Sequence, residues 1–156
     1  MRILGIDPGL GTTGYGIIDK KSFKLIEAGI ISTRSNTPIQ SRLKKIYDSL
    51  TDIIREYEPD VLVLEKIYSH YRHPATAILM GHARAAACLA SGMHNVRLVS
   101  YPSTKIKKTI TGNGHASKQQ VQRMVQGILM LKDPPYPLDV SDALAIALSY
   151  CYMNRR

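Results

Sequence analysis

Apolar residues along this chain follow two periods. The short unbroken runs Ile3-Leu4-Gly5-Ile6 and Val61-Leu62-Val63-Leu64 read as buried strands, and each is closed by an acid, Asp7 and Glu65. Gly9, Gly11 and Gly14 turn the first run into Tyr15-Gly16-Ile17-Ile18. Asp19-Lys20-Lys21 then turns that run into a third strand over residues 23–32, which makes an antiparallel meander. Thr37-Pro38-Ile39-Gln40 has helix-start chemistry: Thr37 as the capping hydroxyl, proline in the first position, glutamine in the third. Apolar positions 39, 43, 46, 47, 50, 53, 54 and 57 keep helical spacing, and Glu58-Pro59-Asp60 ends the helix before the strand at 61–65.

Beyond that strand the period stays helical for most of the chain. Residues 75–91 form a helix rich in small side chains, including Gly81, Ala83, Ala85 and Ala86. Gly81 and Ala85, four apart, allow another helix to approach closely. A short strand at 96–99 precedes a helical segment at 103–110, which Gly112-Asn113-Gly114 interrupts. Two further helices, at 117–130 and 139–153, flank the breaker Asp133-Pro134-Pro135-Tyr136-Pro137. The order β-β-β-α-β-α-β-α-α-α predicts an α/β fold, a mixed five-stranded sheet with helices on both faces, and one domain over 1–156.

Composition changes this picture only through charge. The apolar fraction of 44% is ordinary, and no apolar run approaches the ~20 residues that span a bilayer. The amino terminus enters a strand without a leader pattern, and Cys88 and Cys151 lack ligand spacing. A cytoplasmic protein with free thiols and no membrane contact is expected. The formal charge is +9, yet no Asp or Glu occurs from Lys66 through Lys132, where ten lysines and arginines fall. Such a field attracts polyanions. Arg72, Lys105, Lys107, Lys108 and Lys118 lie within it.

Against this basic background, four acids mark strand ends and a helix start: Asp7, Glu65, Asp139 and Asp142. Asp139 and Asp142 are one turn apart and share a helix face. Carboxylates brought together repel unless cations or shared protons compensate them. Taken singly, each acid also has a structural reading: Asp7 as a turn residue before Pro-Gly, Glu65 as an exposed strand terminus, Asp139 and Asp142 as helix-cap acids.

The element order and acid placement resemble the ribonuclease-H-like nucleases. The segments Ile6-Asp7-Pro8-Gly9-Leu10-Gly11-Thr12-Thr13-Gly14-Tyr15-Gly16, Leu64-Glu65-Lys66-Ile67-Tyr68 and Asp139-Val140-Ser141-Asp142-Ala143-Leu144-Ala145 together resemble the RuvC-type Holliday-junction resolvases. Ser41-Arg42-Leu43, Gly81-His82-Ala83-Arg84 and Lys107-Lys108-Thr109-Ile110-Thr111-Gly112 extend the likeness, which is collinear over nearly the full length.

The resemblance implies a homodimer that binds four-way DNA junctions and makes paired, metal-dependent nicks during recombination and repair, alongside branch-migration machinery. It makes Asp7, Glu65, Asp139 and Asp142 the catalytic metal ligands, for two magnesium ions with manganese as a substitute. Many members carry histidine where this chain has Asp139, so the donor set here is all oxygen. Lys107 and Lys118 match basic catalytic positions near the scissile phosphate. Tyr68 matches an aromatic that stacks on bases, with Arg72, Lys105, Lys107, Lys108 and Lys118 as further DNA contacts. The segment around His70 and His73 departs from the family pattern, and those histidines read as DNA-contacting loop residues rather than a metal pair. His115 is a candidate for phosphate contact.

Three other readings fit parts of the chain. The Asp7-Pro8-Gly9 segment also looks like the first phosphate loop of actin-like and sugar-kinase ATPases, which need two such domains. Resolvase-like proteins acting on ribosomal RNA precursors share the fold. A non-catalytic DNA-binding module would not need four intact acids.

Overall fold

The computed structural model describes residues 1–67 and 74–155. Its elements run β1 (Arg2–Asp7), β2 (Thr12–Asp19), β3 (Lys24–Ser32), α1 (Ile39–Tyr57), β4 (Val61–Glu65), α2 (Pro74–Met93), β5 (Arg97–Tyr101), α3 (Ser103–Thr111), α4 (Lys118–Ile128) and α5 (Leu138–Met153). The expected element order is the one observed.

The strands form one sheet in the order β3-β2-β1-β4-β5. The meander β1-β2-β3 is antiparallel, whereas β4 and β5 join parallel to β1 through the crossovers α1 and α2. Alternation along each strand divides the core in two. Ile3, Val61 and Val63 face α3, α4 and α5, while Leu4, Ile6, Leu62 and Leu64 face α1 and α2. Because both faces are covered, β1 and β4 are apolar without a break, and their acids emerge only where the strands end. Ile6 pairs with Leu64 in the parallel register, so Asp7 and Glu65 leave the sheet side by side.

Local boundaries differ from the sequence reading in instructive places. Helix α1 begins at Ile39 and Thr37 does not cap it. Pro38 is extended, with ψ 143°, so it flanks the helix and its carbonyl takes the amides of Ser41 and Arg42. Thr37 is instead drawn into a turn, its amide donating to the Arg34 carbonyl. Ile39 is consequently exposed, while Ile46, Leu50, Ile53 and Ile54 bury the predicted face. Gly14, read from sequence as a turn residue, lies inside β2 opposite Asp7. No described helix is long and apolar enough to cross a membrane.

Candidate active site

The site is assembled by close contact between the sheet and α5. A side chain at Gly14 would put its Cβ 2.1 Å from the Asp139 carbonyl oxygen, and one at Gly5 would put it 2.2 Å from that of Ala143. Only bare backbone on β1 and β2 lets the start of α5 lie this near. Asp139 is thereby held against the strand that pairs with Asp7, and Asp142 follows one turn later.

Electrostatics records the convergence. Burial pushes the Asp7 carboxyl up to about 7, and the fields of Asp142, Glu65 and Asp139 push the same way while Lys118 opposes them. Glu65 is also raised, first by burial, with a Ser103 side-chain hydrogen bond pulling back and the charge of Asp142 adding to the rise. Lys118 donates from Nζ to Asp142 Oδ2 at 2.8 Å. That bond raises the lysine's own pKa, helped by the charges of Asp142, Asp7 and Asp139. The four acids therefore share one field. Even so, no three His, Cys, Asp or Glu side chains among the described residues are gathered tightly enough to hold an ion as they stand. The donor set is nonetheless all carboxylate, and the charge deficit at Asp7 has the sign that a hard cation corrects.

A cleft of about 510 Å³ opens beside Asp7 and Glu65. Ile67, Ala77 and Met80 form its apolar side, and Ser103 and Thr104 its polar side. The basic residues of α3 divide between two places. Lys107 acts electrostatically on Glu65. Lys105 and Lys108, one turn apart, instead line a separate shallow concavity with Gly112, Gly114 and His115. His115 is thus placed with the second basic surface and not among the acids. Tyr68, His70, Arg72 and His73 lie outside the described residues.

Two polar groups at this site carried no assignment in the sequence. Ser103 opens the helix after β5, next to Glu65, a position that the parallel pairing of β4 and β5 makes legible only in retrospect. Arg84 donates from Nη1 to the Glu65 carbonyl oxygen at 2.6 Å. Its sequence signals are a lone lysine-or-arginine charge in a mostly apolar helix and its place in the Gly81-His82-Ala83-Arg84 segment, neither of which points to Glu65.

This geometry can be set beside known proteins. The family described as crossover junction endodeoxyribonuclease RuvC matches residues 3–150. The chain belongs to the RuvC family. A crossover junction endodeoxyribonuclease RuvC from Rhodopirellula baltica is 44% identical over 153 residues, covering 97% of this chain and 86% of the relative. Another from Alkaliphilus oremlandii is 42% identical over 154 residues, covering 97% and 93%. Among solved structures, Thermus thermophilus RuvC in complex with a Holliday junction substrate superposes with a TM-score of 0.91 at 30% identity, covering 99% of this chain and 95% of that one. The RuvC fold is the ribonuclease-H-like one, so the expected fold class holds.

Proposed function

We propose that this protein binds four-way DNA junctions as a homodimer and resolves them by paired, symmetric, metal-dependent hydrolysis of phosphodiester bonds. It is an endodeoxyribonuclease of the RuvC family, and the observation that carries the mechanistic reading is Asp7. Its buried carboxyl, raised to about 7 among three further acids, lacks positive charge where a nuclease would hold its cations.

Asp7, Glu65, Asp139 and Asp142 would hold two magnesium ions, with manganese accepted by the same oxygens. When bound, those ions supply an activated water and relieve charge on the attacked phosphate. The chain's own residues do the rest. Asp7 and Glu65 project from adjacent strand ends, which fixes their separation through the sheet. Lys118 pairs with Asp142, and its largely exposed ammonium could also meet a phosphate oxygen and offset charge there. Lys107 adds positive charge on the Glu65 side of the cleft. Lys105 and Lys108 hold the DNA backbone further along the surface.

The homodimer reading rests on α2. Ile78, Leu79, Leu89 and Met93 are exposed there, and Leu98 is exposed on the edge strand β5. Gly81 has no neighbour that a Cβ would meet, and Ala85 is exposed, so the close-approach surface faces away from the chain's own sheet. Exposed apolar side chains recurring along one helix and its neighbouring edge strand fit a protein contact. A two-fold pair suits a substrate whose symmetric strands need symmetric cuts. Tyr68 and Arg72 are assigned to DNA contact, docking to branch-migration machinery rests on family membership, and a cytoplasmic site of action goes with it.

The deciding experiment incubates a synthetic four-way junction and a matched linear duplex with magnesium, using wild type and Asp7→Asn side by side. Symmetric nicks in the junction alone, lost in the variant, are expected. Equal cutting of both substrates, or cutting that survives Asp7→Asn, would overturn the proposal.

A further inference from the structure

Arg84 is the only lysine or arginine of α2, set among Ala83, Ala85, Ala86 and Ala87. A long cation on an apolar helix ordinarily runs its head out to water. Arg84 is instead half-buried and turned toward the sheet. Its Nη1 donates to the Glu65 carbonyl oxygen at 2.6 Å and its Nη2 to Ser100 Oγ at 2.8 Å. One guanidinium thus ties α2 to the last residue of β4 and to the neighbouring strand β5 together.

The consequence falls on Glu65. The Lys66 amide donates to the Tyr101 carbonyl at 2.8 Å, so the one peptide group that follows the Glu65 α-carbon is held at its N–H by β5 and at its C=O by Arg84. The contact is to the carbonyl, which leaves the Glu65 carboxylate turned to the cleft with Ser103 beside it. A planar guanidinium spanning two acceptors defines position better than a flexible ammonium would. Groups that orient metal ligands from behind typically change metal affinity or activity by about 10- to 100-fold.

We propose that Arg84 is a positioning residue for Glu65: it fixes the end of β4 against α2 and so sets where the Glu65 carboxylate meets a bound divalent ion. This rests on the reading of Glu65 as a metal ligand. The bland alternative is a staple that merely adds stability.

Direct manganese binding to the DNA-free protein, by electron paramagnetic resonance or calorimetry, separates the two. Glu65→Gln is expected to weaken binding, and Arg84→Ala to weaken it by about 10- to 100-fold. The double variant is expected to bind no worse than Glu65→Gln alone, because both changes act through one carboxylate. Ser100→Ala, which keeps the shorter contact, should cost less than about threefold, since it removes one neutral acceptor. Arg84→Lys keeps the charge but not the two-acceptor fork, so it should fall between wild type and Arg84→Ala. It carries the same comparison if Arg84→Ala does not fold. Unchanged manganese affinity in Arg84→Ala, with Glu65→Gln impaired, would overturn the positioning role and leave the site reading standing. Additive losses in the double variant would overturn it in favour of the staple. Full affinity in Glu65→Gln would overturn both readings.

Discussion

Helices α5 and α2 are built from similar side chains and end in different surroundings. In α5, residues Ala143 through Cys151 are all buried, enclosed by β1 and β2 on one side and by α3 and α4 on the other. In α2, Ala83, Ala86, Ala87 and Ala90 are buried against the sheet and α1, while Ile78, Leu79, Leu89 and Met93 stand in solvent. Apolar composition therefore says that a surface needs cover but not who provides it. For α5 the same chain provides it. For α2, under the proposed function, a second copy does. Under the proposed function both helices serve one site, α5 by its carboxylates and α2 by the Arg84 contact behind Glu65.

The contrast can be broken most sharply at Asp7, on which both sides converge. Asp7→Asn should lower junction cleavage by roughly a thousandfold or more while junction affinity in chelator stays within about twofold, read by gel shift and single-turnover assays. Stability then separates the helices. Ile146→Ala, in the enclosed α5, should cost about 2–5 kcal/mol in urea denaturation. Leu89→Ala, 56% exposed on α2, should change the stability of dilute protein by no more than about 0.5 kcal/mol. It should nonetheless weaken self-association in sedimentation.

A pH series sharpens the electrostatic part. In the folded metal-free protein, burial first and then the neighbouring acids raise Asp7 from 3.8 to about 7. A proton is thus held more tightly in the folded state than in the unfolded one. The stability tied to that proton is complete below the unfolded value, declines as pH rises toward 7 and is gone above it. Asp7→Asn should therefore stabilise metal-free protein at pH 8 by about 1–4 kcal/mol and give no gain near pH 4. A gain that grows toward low pH would contradict this. Magnesium should raise the melting temperature of wild type at pH 8 and leave Asp7→Asn nearly unmoved. Gly14→Ala tests the contact between sheet and α5 directly. Forcing a methyl onto the Asp139 carbonyl should cost about 1–3 kcal/mol and slow cleavage by about 10- to 100-fold through displacement of α5. Normal turnover in that variant would show that the close approach is not needed.

The strands, the crossover helices and the placement of the four acids were legible because each rests on a local pattern: an unbroken apolar run, a helical repeat, an acid at the run's end. Where two local signals competed, the reading failed. The proline before Ile39 looked like a first helical residue, but its extended ψ and the Thr37–Arg34 turn moved the boundary. Gly14 looked like a turn residue because three glycines occur close together, and nothing nearby in sequence announces that Asp139 will lie on it. Arg84 was visible as a cation but its partner, a backbone carbonyl nineteen residues away, has no side-chain identity to betray it. Lys105, Lys107 and Lys108 read as one basic cluster, whereas helical rotation sends Lys107 to the acids and its neighbours to another surface.

The bare backbone of Gly5, Gly14 and Gly16 beneath α5 has a further consequence, for how this chain can drift. A tolerance map made by substituting every position would score these three with the acids, although none has a reactive atom. At Gly5 and Gly14 a larger residue meets the backbone of α5, so the helix must retreat, and retreat carries Asp139 and Asp142 away from Asp7; at Gly16 the atoms met first are those of the Leu144 side chain. Sheet and helix can then change there only in step, so the empty space constrains substitution as tightly as the acids it brings together.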